Sequence, residues 1–212
     1  MEAGKKSVLQ KFHWISTIIK NGLLWHGIRN RLAKIGLDFM PYYWEIGTID
    51  IPPPKIRANA SKYELSLFGE KEITFIKNNV IGIEHKDLMH DLKNGETCLG
   101  IKYEKTIAVY SFAKSEPFSF RGRNFSIKPN EAYIHSTYTF EAFRGQNLAP
   151  YLRYQSYIYL KNRGINTYYS ISEYFNKPTL RYKQKLKIQP LKLYLSVILF
   201  KKWEFNFTLK SY

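Results

Sequence analysis

Apolar positions recur at helical spacing over residues 7–35. Val8, Phe12, Ile15 and Ile19 fall at i, i+4, i+7 and i+11, and Ile28, Leu32 and Ile35 repeat the pattern after Asn21 and Gly22. Gly36 then ends the second helix. The pattern breaks at residues 41–56 (PYYWEIGTIDIPPPKI), where Pro52, Pro53 and Pro54 are consecutive. Such a run fits neither a helix nor a central strand, so the segment reads as a connector with a boundary near residue 56.

From there the pattern alternates between strand and helix. Strands are expected at 62–68, 97–103, 106–114, 118–120, 124–127, 132–140, 166–172, 191–200 and 203–209. Helices are expected at 70–78, 86–93, 150–163 and 177–187, with Asn94–Gly95 and Gly164 as stops. Strands 97–103 and 106–114 form a hairpin around Glu104 and Lys105, and Arg121–Gly122–Arg123 turns a second one. The order predicts a mixed α/β layout with one βαβ unit at 132–172. The chain divides into a helical arm with its Pro-rich connector (1–56) and a main domain (57–212).

Charge adds the next constraint. Thirty-three Lys and Arg against 17 Asp and Glu leave a net charge of +16. Such a field attracts anions: nucleotides, phosphorylated substrates, acidic carrier proteins, anionic lipid or nucleic acid. Residues 1–36 carry seven Lys or Arg and one Glu, together with Trp14 and Trp25. This is either a basic amphipathic arm able to lie on a membrane surface or a helical arm packed on the main domain. Nucleic-acid binding has little support, because the basic residues are spread along the chain without a recognisable binding motif. The apolar run at 193–200 is eight residues, too short to span a bilayer. With no secretory pattern at the N-terminus, the expectation is a cytoplasmic protein, peripheral at the inner face of the membrane if the arm binds there. Cys98 is the only cysteine and the five His lack ligand spacing, so no metal is expected.

One stretch carries candidate chemistry. Residues 143–153 (FRGQNLAPYLR) join the strand at 132–140 to the following helix. The first turn of a helix exposes unpaired N–H groups with partial positive charge, which is a seat for phosphate. Gly145 permits close approach, Arg144 adds positive charge, and Pro150 lacks a donor that is spare there. The alternative is an ordinary helix start with Asn147 as N-cap.

The string Phe143-Arg144-Gly145-Gln146-Asn147-Leu148-Ala149 resembles the acetyl-coenzyme A motif of the GNAT acyltransferase superfamily, Arg/Gln-x-x-Gly-x-Gly/Ala, with Asn147 in place of the middle glycine. Asn176 followed by Lys185-Leu186-Lys187-Ile188 resembles that family's late Asn…Lys-x-Gly-Phe stretch. Lys93-Asn94-Gly95-Glu96 and the two strands after it match its early half. The resemblance spans roughly residues 60–200 and rests on order and spacing.

The resemblance implies a mostly antiparallel central sheet with a splayed βαβ unit. The pantetheine arm of the acyl donor would lie along Thr137 to Phe140, with Tyr138 and Phe140 beside it. The pyrophosphate would rest on Arg144, Gly145, Gln146, Asn147, Leu148 and Ala149. Asn176 would flank the pantetheine arm, and Lys183 would meet the anionic cofactor or be solvated. The family's acid is often a Tyr seven residues after the late Asn. Here that position is Lys183, with Tyr182 one place earlier, and one helical step turns a side chain by about 100°; on that count Tyr182 faces elsewhere. Candidate bases are Glu131, His135, Tyr138 and Glu141, with His135 suited to neutral pH. Strand alternation would put His135 and Thr137 on one face, Ser136 and Tyr138 on the other.

The expected function is therefore transfer of an acetyl or other acyl group from acetyl-CoA or another acyl-CoA to an amine, with His135, Tyr138 and Tyr182 as the catalytic candidates. Charge favours an anionic small molecule or amino sugar as acceptor. The alternatives are an acyltransferase fed by acyl carrier protein and a non-catalytic basic module that binds nucleic acid or membrane.

Overall fold

The computed structural model describes residues 24–80 and 87–212. The expected helix at 7–20, most of the basic arm and Lys86 lie outside the described residues. Among those described are five helices: α1 (Leu24–Lys34), α2 (Glu70–Asn79), α3 (Leu88–Lys93), α4 (Leu148–Lys161) and α5 (Lys177–Lys185). The strands are β1 (Leu37–Gly47), β2 (Tyr63–Leu67), β3 (Thr97–Tyr103), β4 (Thr106–Lys114), β5 (Phe118–Phe120), β6 (Arg123–Phe125), β7 (Glu131–Thr139), β8 (Thr167–Glu173), β9 (Gln189–Leu199) and β10 (Trp203–Ser211).

Eight strands form one sheet in the order β10-β9-β1-β8-β7-β4-β3-β2, while β5 and β6 make a separate hairpin. Every neighbouring pair in the large sheet is antiparallel except β7 and β8. Those two are joined through α4, the crossover connection that parallel strands require. On one face α2 and α3 bury Ile73, Ile76 and Leu88 against Phe68, Tyr110 and Phe112. On the other, Leu148 and Leu152 of α4 pack on Leu99, Ile101, Ala108 and Val109. A fully buried leucine of this kind contributes roughly 2 kcal/mol. The β5–β6 hairpin lays Phe118, Phe120 and Phe125 over an aromatic cluster of Tyr42, Trp44, Tyr133 and Tyr194.

The segment read as a connector divides at Gly47. Residues 41–47 are not a linker: they complete β1, which lies between β8 and β9 inside the sheet. Pro41 is tolerated because its carbonyl, and so the side of its missing N–H, faces β8 where the chain is already turning, at Tyr174 N–H. The three prolines do lie outside any strand or helix. Their extended run carries the chain across to the start of α4, where Arg57 N–H donates to Gln146 carbonyl oxygen at 3.0 Å.

Candidate functional site

β7 and β8 are paired at only three positions, Glu131–Thr167, Ala132–Tyr168 and Tyr133–Tyr169. Beyond Tyr133 they part. β7 runs on to Thr139 held by β4, and β8 runs on to Glu173 held by β1. The cause of the divergence is local. Ser136 has φ of +50°, and the register with β4 slips between Tyr110 and Phe112. Such a bulge bends its strand and increases its twist.

The bulge also overturns the expected alternation. His135 lies beside Phe112 on the α2–α3 face, with ring centroids 5.8 Å apart, and Tyr138 joins the same cluster. Thr137 points the other way, its hydroxyl 2.8 Å from that of Ser111. One extra residue at 136 puts His135 and Tyr138, three apart, on a shared face.

At the open end of the split, the chain turns through a short 3-10 segment (Glu141–Phe143) into α4. Asn147 stands at the N-cap with φ of +65° but makes no side-chain capping bond. Its amide instead donates to Lys55 carbonyl oxygen at 2.8 Å. Among the described residues no main-chain carbonyl takes the N–H groups of Gly145, Gln146, Asn147, Leu148 or Ala149. The helix start is therefore uncapped, unlike α5, where the Asn176 side chain accepts from Thr179 N–H. A Cβ added to Gly145 would meet nothing within 4 Å, so the backbone there is open to a ligand.

A cavity of about 600 Å³ joins these parts. It runs from the α4 start past Thr137, Tyr138 and Thr139 to Asn176, Thr179 and Tyr182 on α5. Of the residues expected from sequence, Tyr138, Arg144, Gly145, Asn147, Leu148, Ala149, Asn176 and Tyr182 line it. Four do not. Phe140 packs against Phe75 of α2. The Gln146 side chain bonds the Tyr63 hydroxyl. His135 sits on the opposite face of the sheet, and Lys183 is in the core.

Lys183 calls for the largest correction. It is 2 % exposed, and its ammonium donates to Glu45 Oε2 at 2.5 Å and to Ser170 Oγ at 2.8 Å. It cannot reach an anionic ligand in the cavity, nor is it solvated. Burial pulls its pKa below the lysine range, while Glu45 works in the opposite sense. Tyr182, expected to face elsewhere, faces the cavity. Leu180, Lys183 and Leu186 form the stripe of α5 turned to the core, and Pro178, Thr179, Tyr182 and Lys185 form the stripe turned to the cavity. Burial would raise the Tyr182 pKa, but Arg153 and Lys183 with hydrogen bonds from Arg153 and Thr137 bring it below the ordinary tyrosine value.

On the far face, His135 Nε2 lies 2.7 Å from Glu96 Oε2 and Nδ1 lies 3.0 Å from Ser136 Oγ. Lys114 Nζ donates to the other Glu96 oxygen at 2.6 Å. Burial holds His135 below the usual histidine pKa, partly offset by Glu96. The other two base candidates are placed poorly for the split. Glu131 lies below it, accepting from Lys128 N–H and the Tyr169 hydroxyl, and Glu141 is exposed on the outer turn.

Three basic or titratable residues at the cavity, Arg57, Lys185 and His26, carry no role in the sequence reading. Arg57 and Lys185 add positive charge near Arg144, with Lys185 Nζ 3.5 Å from Asn147 Oδ1. His26 of α1 stands at the cavity wall with Nδ1 3.1 Å from Glu173 Oε2. No local motif announces Arg57 or His26, because each arrives through a long-range contact; Lys185 stands in the late stretch that resembles Asn…Lys-x-Gly-Phe. Among the described residues, no three His, Cys, Asp or Glu side chains gather as metal ligands.

No protein-family model and no curated protein sequence matches the chain. Solved structures do. An acetyltransferase of the GNAT family from Novosphingobium aromaticivorans superposes with a TM-score of 0.54 at 16 % identity, covering 76 % of this chain and 64 % of that one. A glucosamine N-acetyltransferase region of a fungal multi-domain β-N-acetylglucosaminidase gives 0.60 at 13 % identity, covering 82 % and 23 %. A GNAT-family acetyltransferase from Colwellia psychrerythraea gives 0.56 at 10 % identity, covering 79 % and 59 %. This chain thus spans less than two thirds of the length of each of these neighbours.

Proposed function

We propose that this chain, which has the GNAT fold, is an N-acyltransferase that takes an acyl group from an acyl-CoA and gives it to an amine. The observation that carries the reading is the parted β7–β8 pair opening onto an uncapped helix start. Free N–H groups at 145–149, with Arg57, Arg144 and Lys185 around them, suit a pyrophosphate. The unpaired inner edges of the two strands offer hydrogen bonds to an extended amide-bearing arm.

The thioester then lies near the bulge, with Tyr182 on the donor side and His135 on the other face. The amine nitrogen attacks the thioester carbonyl carbon and forms the C–N bond. His135, oriented by Glu96, takes the amine proton, the C–S bond breaks, and Tyr182 protonates the departing sulfur. Tyr138 lines the donor's path and is assigned to binding.

Calorimetry with acetyl-CoA tests the reading. Wild type is expected to bind. Asn147→Asp puts a carboxylate against the diphosphate and weakens binding at least about tenfold. Arg144→Ala weakens it less, because its side chain is exposed. If wild type gives no heat with acetyl-CoA or longer acyl-CoAs, the reading is wrong. Mass spectrometry after incubation with acyl-CoA or acyl carrier protein separates the two donors.

The acceptor is a small-molecule amine, and the charge of +16 favours an anionic one such as a nucleotide-linked amino sugar. An amino sugar also agrees with the glucosamine N-acetyltransferase region among the structural neighbours. Neutral polyamines reacting far faster than nucleotide-linked amino sugars would remove this part of the proposal. We further propose membrane contact through residues 1–36, argued from the exposed side chains of Trp25, Ile28 and Leu32 on α1 and of Ile35 just after it. Deleting 1–36 should then abolish sedimentation with anionic liposomes.

A further inference from the structure

Directly behind Tyr182 lies a buried charge that the reaction above leaves unused. Arg153 of α4 is 2 % exposed. Its guanidinium reaches Ile134 carbonyl oxygen and the Tyr182 hydroxyl, each at 3.4 Å, and its Nε has no partner. No carboxylate among the described residues lies within ion-pair distance of it. Lys183, buried equally, has Glu45. The core between α4, α5 and β1 therefore holds two cations and one carboxylate, a surplus of one buried positive charge.

An unpaired cation at such depth is costly, and a purely structural arginine ordinarily brings a carboxylate or a full set of carbonyls with it. The position is specific as well. Ile134 is the first β7 residue past the last pair with β8. The guanidinium thus sits at the vertex of the split, against the hydroxyl that faces the cavity.

We propose that Arg153 is a positioning residue that aims the Tyr182 hydroxyl into the split and stabilises the negative charge that develops there during acyl transfer. The inference rests on the acyl-transfer reading and deepens it. As the C–S bond breaks, its electron pair stays on sulfur, and the Tyr182 proton moves to that sulfur. The charge passes to the phenolate beside Arg153, and the phenolate recovers a proton from solvent. The amine proton leaves separately through His135, so the sum is an amide and a free thiol. The other groups facing this pair are Tyr157 from α4, Lys183 from α5, Glu45 from β1 and Tyr133 from β7, each of which bears on the charge at Arg153 or Tyr182. Burial opposes ionisation of the tyrosine, but Arg153, then Lys183, and the hydrogen bonds from Arg153 and Thr137 lower it, in agreement with its role as a ready proton donor.

The test uses full-length protein carrying tyrosine labelled with carbon-13 at the ring carbon bonded to oxygen, with Tyr182→Phe identifying the Tyr182 resonance. In wild type, Tyr182 is expected to titrate below the ordinary tyrosine range. In Arg153→Met its pKa rises by about one pH unit or more, and Arg153→Lys, which keeps the charge, restores most of the shift. Turnover in Arg153→Met falls roughly tenfold to a hundredfold while acetyl-CoA affinity holds within about twofold. An unchanged Tyr182 titration in Arg153→Met overturns the proposal. So does a wild-type Tyr182 titrating at or above the ordinary range, a result that stands even if Arg153→Met fails to fold. Loss of acetyl-CoA binding by wild type sinks acyl transfer itself and leaves the titration readable, so the two failures are distinct.

Discussion

Asn147 and Lys187 are non-glycine residues with φ of +65° and +51°, each standing where the GNAT pattern has glycine. Asparagine at 147 keeps the left-handed turn because it tolerates that region, and its side-chain amide donates to Lys55 carbonyl oxygen instead of capping the helix. By sequence Asn147 is a plain N-cap; its long-range contacts with residues 55 and 185 take the side chain away from that role. Tyr182 and Lys183 teach a related lesson. Counting seven residues from Asn176 reaches Lys183, yet the spacing of Leu180, Lys183 and Leu186 already marks that stripe as core-facing. A lysine on an apolar stripe hides the stripe. Removing one partner of the buried pair is expected to cost about 3–5 kcal/mol, so Lys183→Met should lower the melting temperature sharply, and combining it with Glu45→Gln should recover much of the loss.

His135 supplies a pH dependence with a definite sign. Its folded pKa is depressed, so once the pH drops below the ordinary histidine value the unfolded chain binds the proton more readily. That contribution is present above this value and is lost as the pH falls through the folded pKa. Glu96, Asp38 and Glu173 are opposed by burial but held below the carboxylate range, by His135 with Lys114, by Arg29 with Arg121, and by His26 with Arg29. Their contributions are lost only further into acid. Melting temperatures recorded against pH should fall in two stages, and His135→Gln should remove the first.

The elements themselves were largely legible. The hairpin at 97–114 follows from two apolar runs around Glu104–Lys105, and the pairing Tyr103–Thr106 matches. The helices at α2, α4 and α5 begin or end within two residues of their expected bounds. What escaped notice was β1, because proline and aromatic residues beside a proline run read as a connector. Its place inside the sheet depends on β9, more than 140 residues later. Close packing at its end makes a direct test. A Cβ at Gly47 would stand 2.1 Å from the Tyr157 hydroxyl of α4. Since Tyr157 is buried, Gly47→Ala should destabilise by about 1–3 kcal/mol in denaturant melts and disturb α4, whose start is the proposed ligand seat.

The described residues form an eight-stranded sheet with helices on both faces and a separate two-stranded hairpin, and the cavity is assembled from segments far apart in sequence. The strap at 55–57 borders the α4 start and α1 reaches the same cavity through His26, which is why deleting the N-terminal part is expected to reach further than membrane contact. Without Arg29, Asp38 keeps only Arg121 as a cation, and Glu173 loses both His26 and Arg29. The long-range field matters for encounter with ligand. With a charge of +16, the association rate of an anionic acyl donor should fall severalfold as salt is raised from low to near-molar, with a much smaller change in dissociation rate, measurable by stopped flow.

Apart from β1, local chemistry determined the run of strands and helices, together with the basic character and the turn at 143–149, because periodicity, turn residues and helix-end amides act over a few neighbours. Tertiary structure alone decided that β7 and β8 separate after Tyr133, that residue 57 reaches the turn at 146, and that Arg153 stands behind Tyr182 with no carboxylate beside it among the described residues. Those outcomes depend on register and packing between segments that meet only when the sheet closes, where one bulged residue or one helical step reverses which side chain faces the cavity.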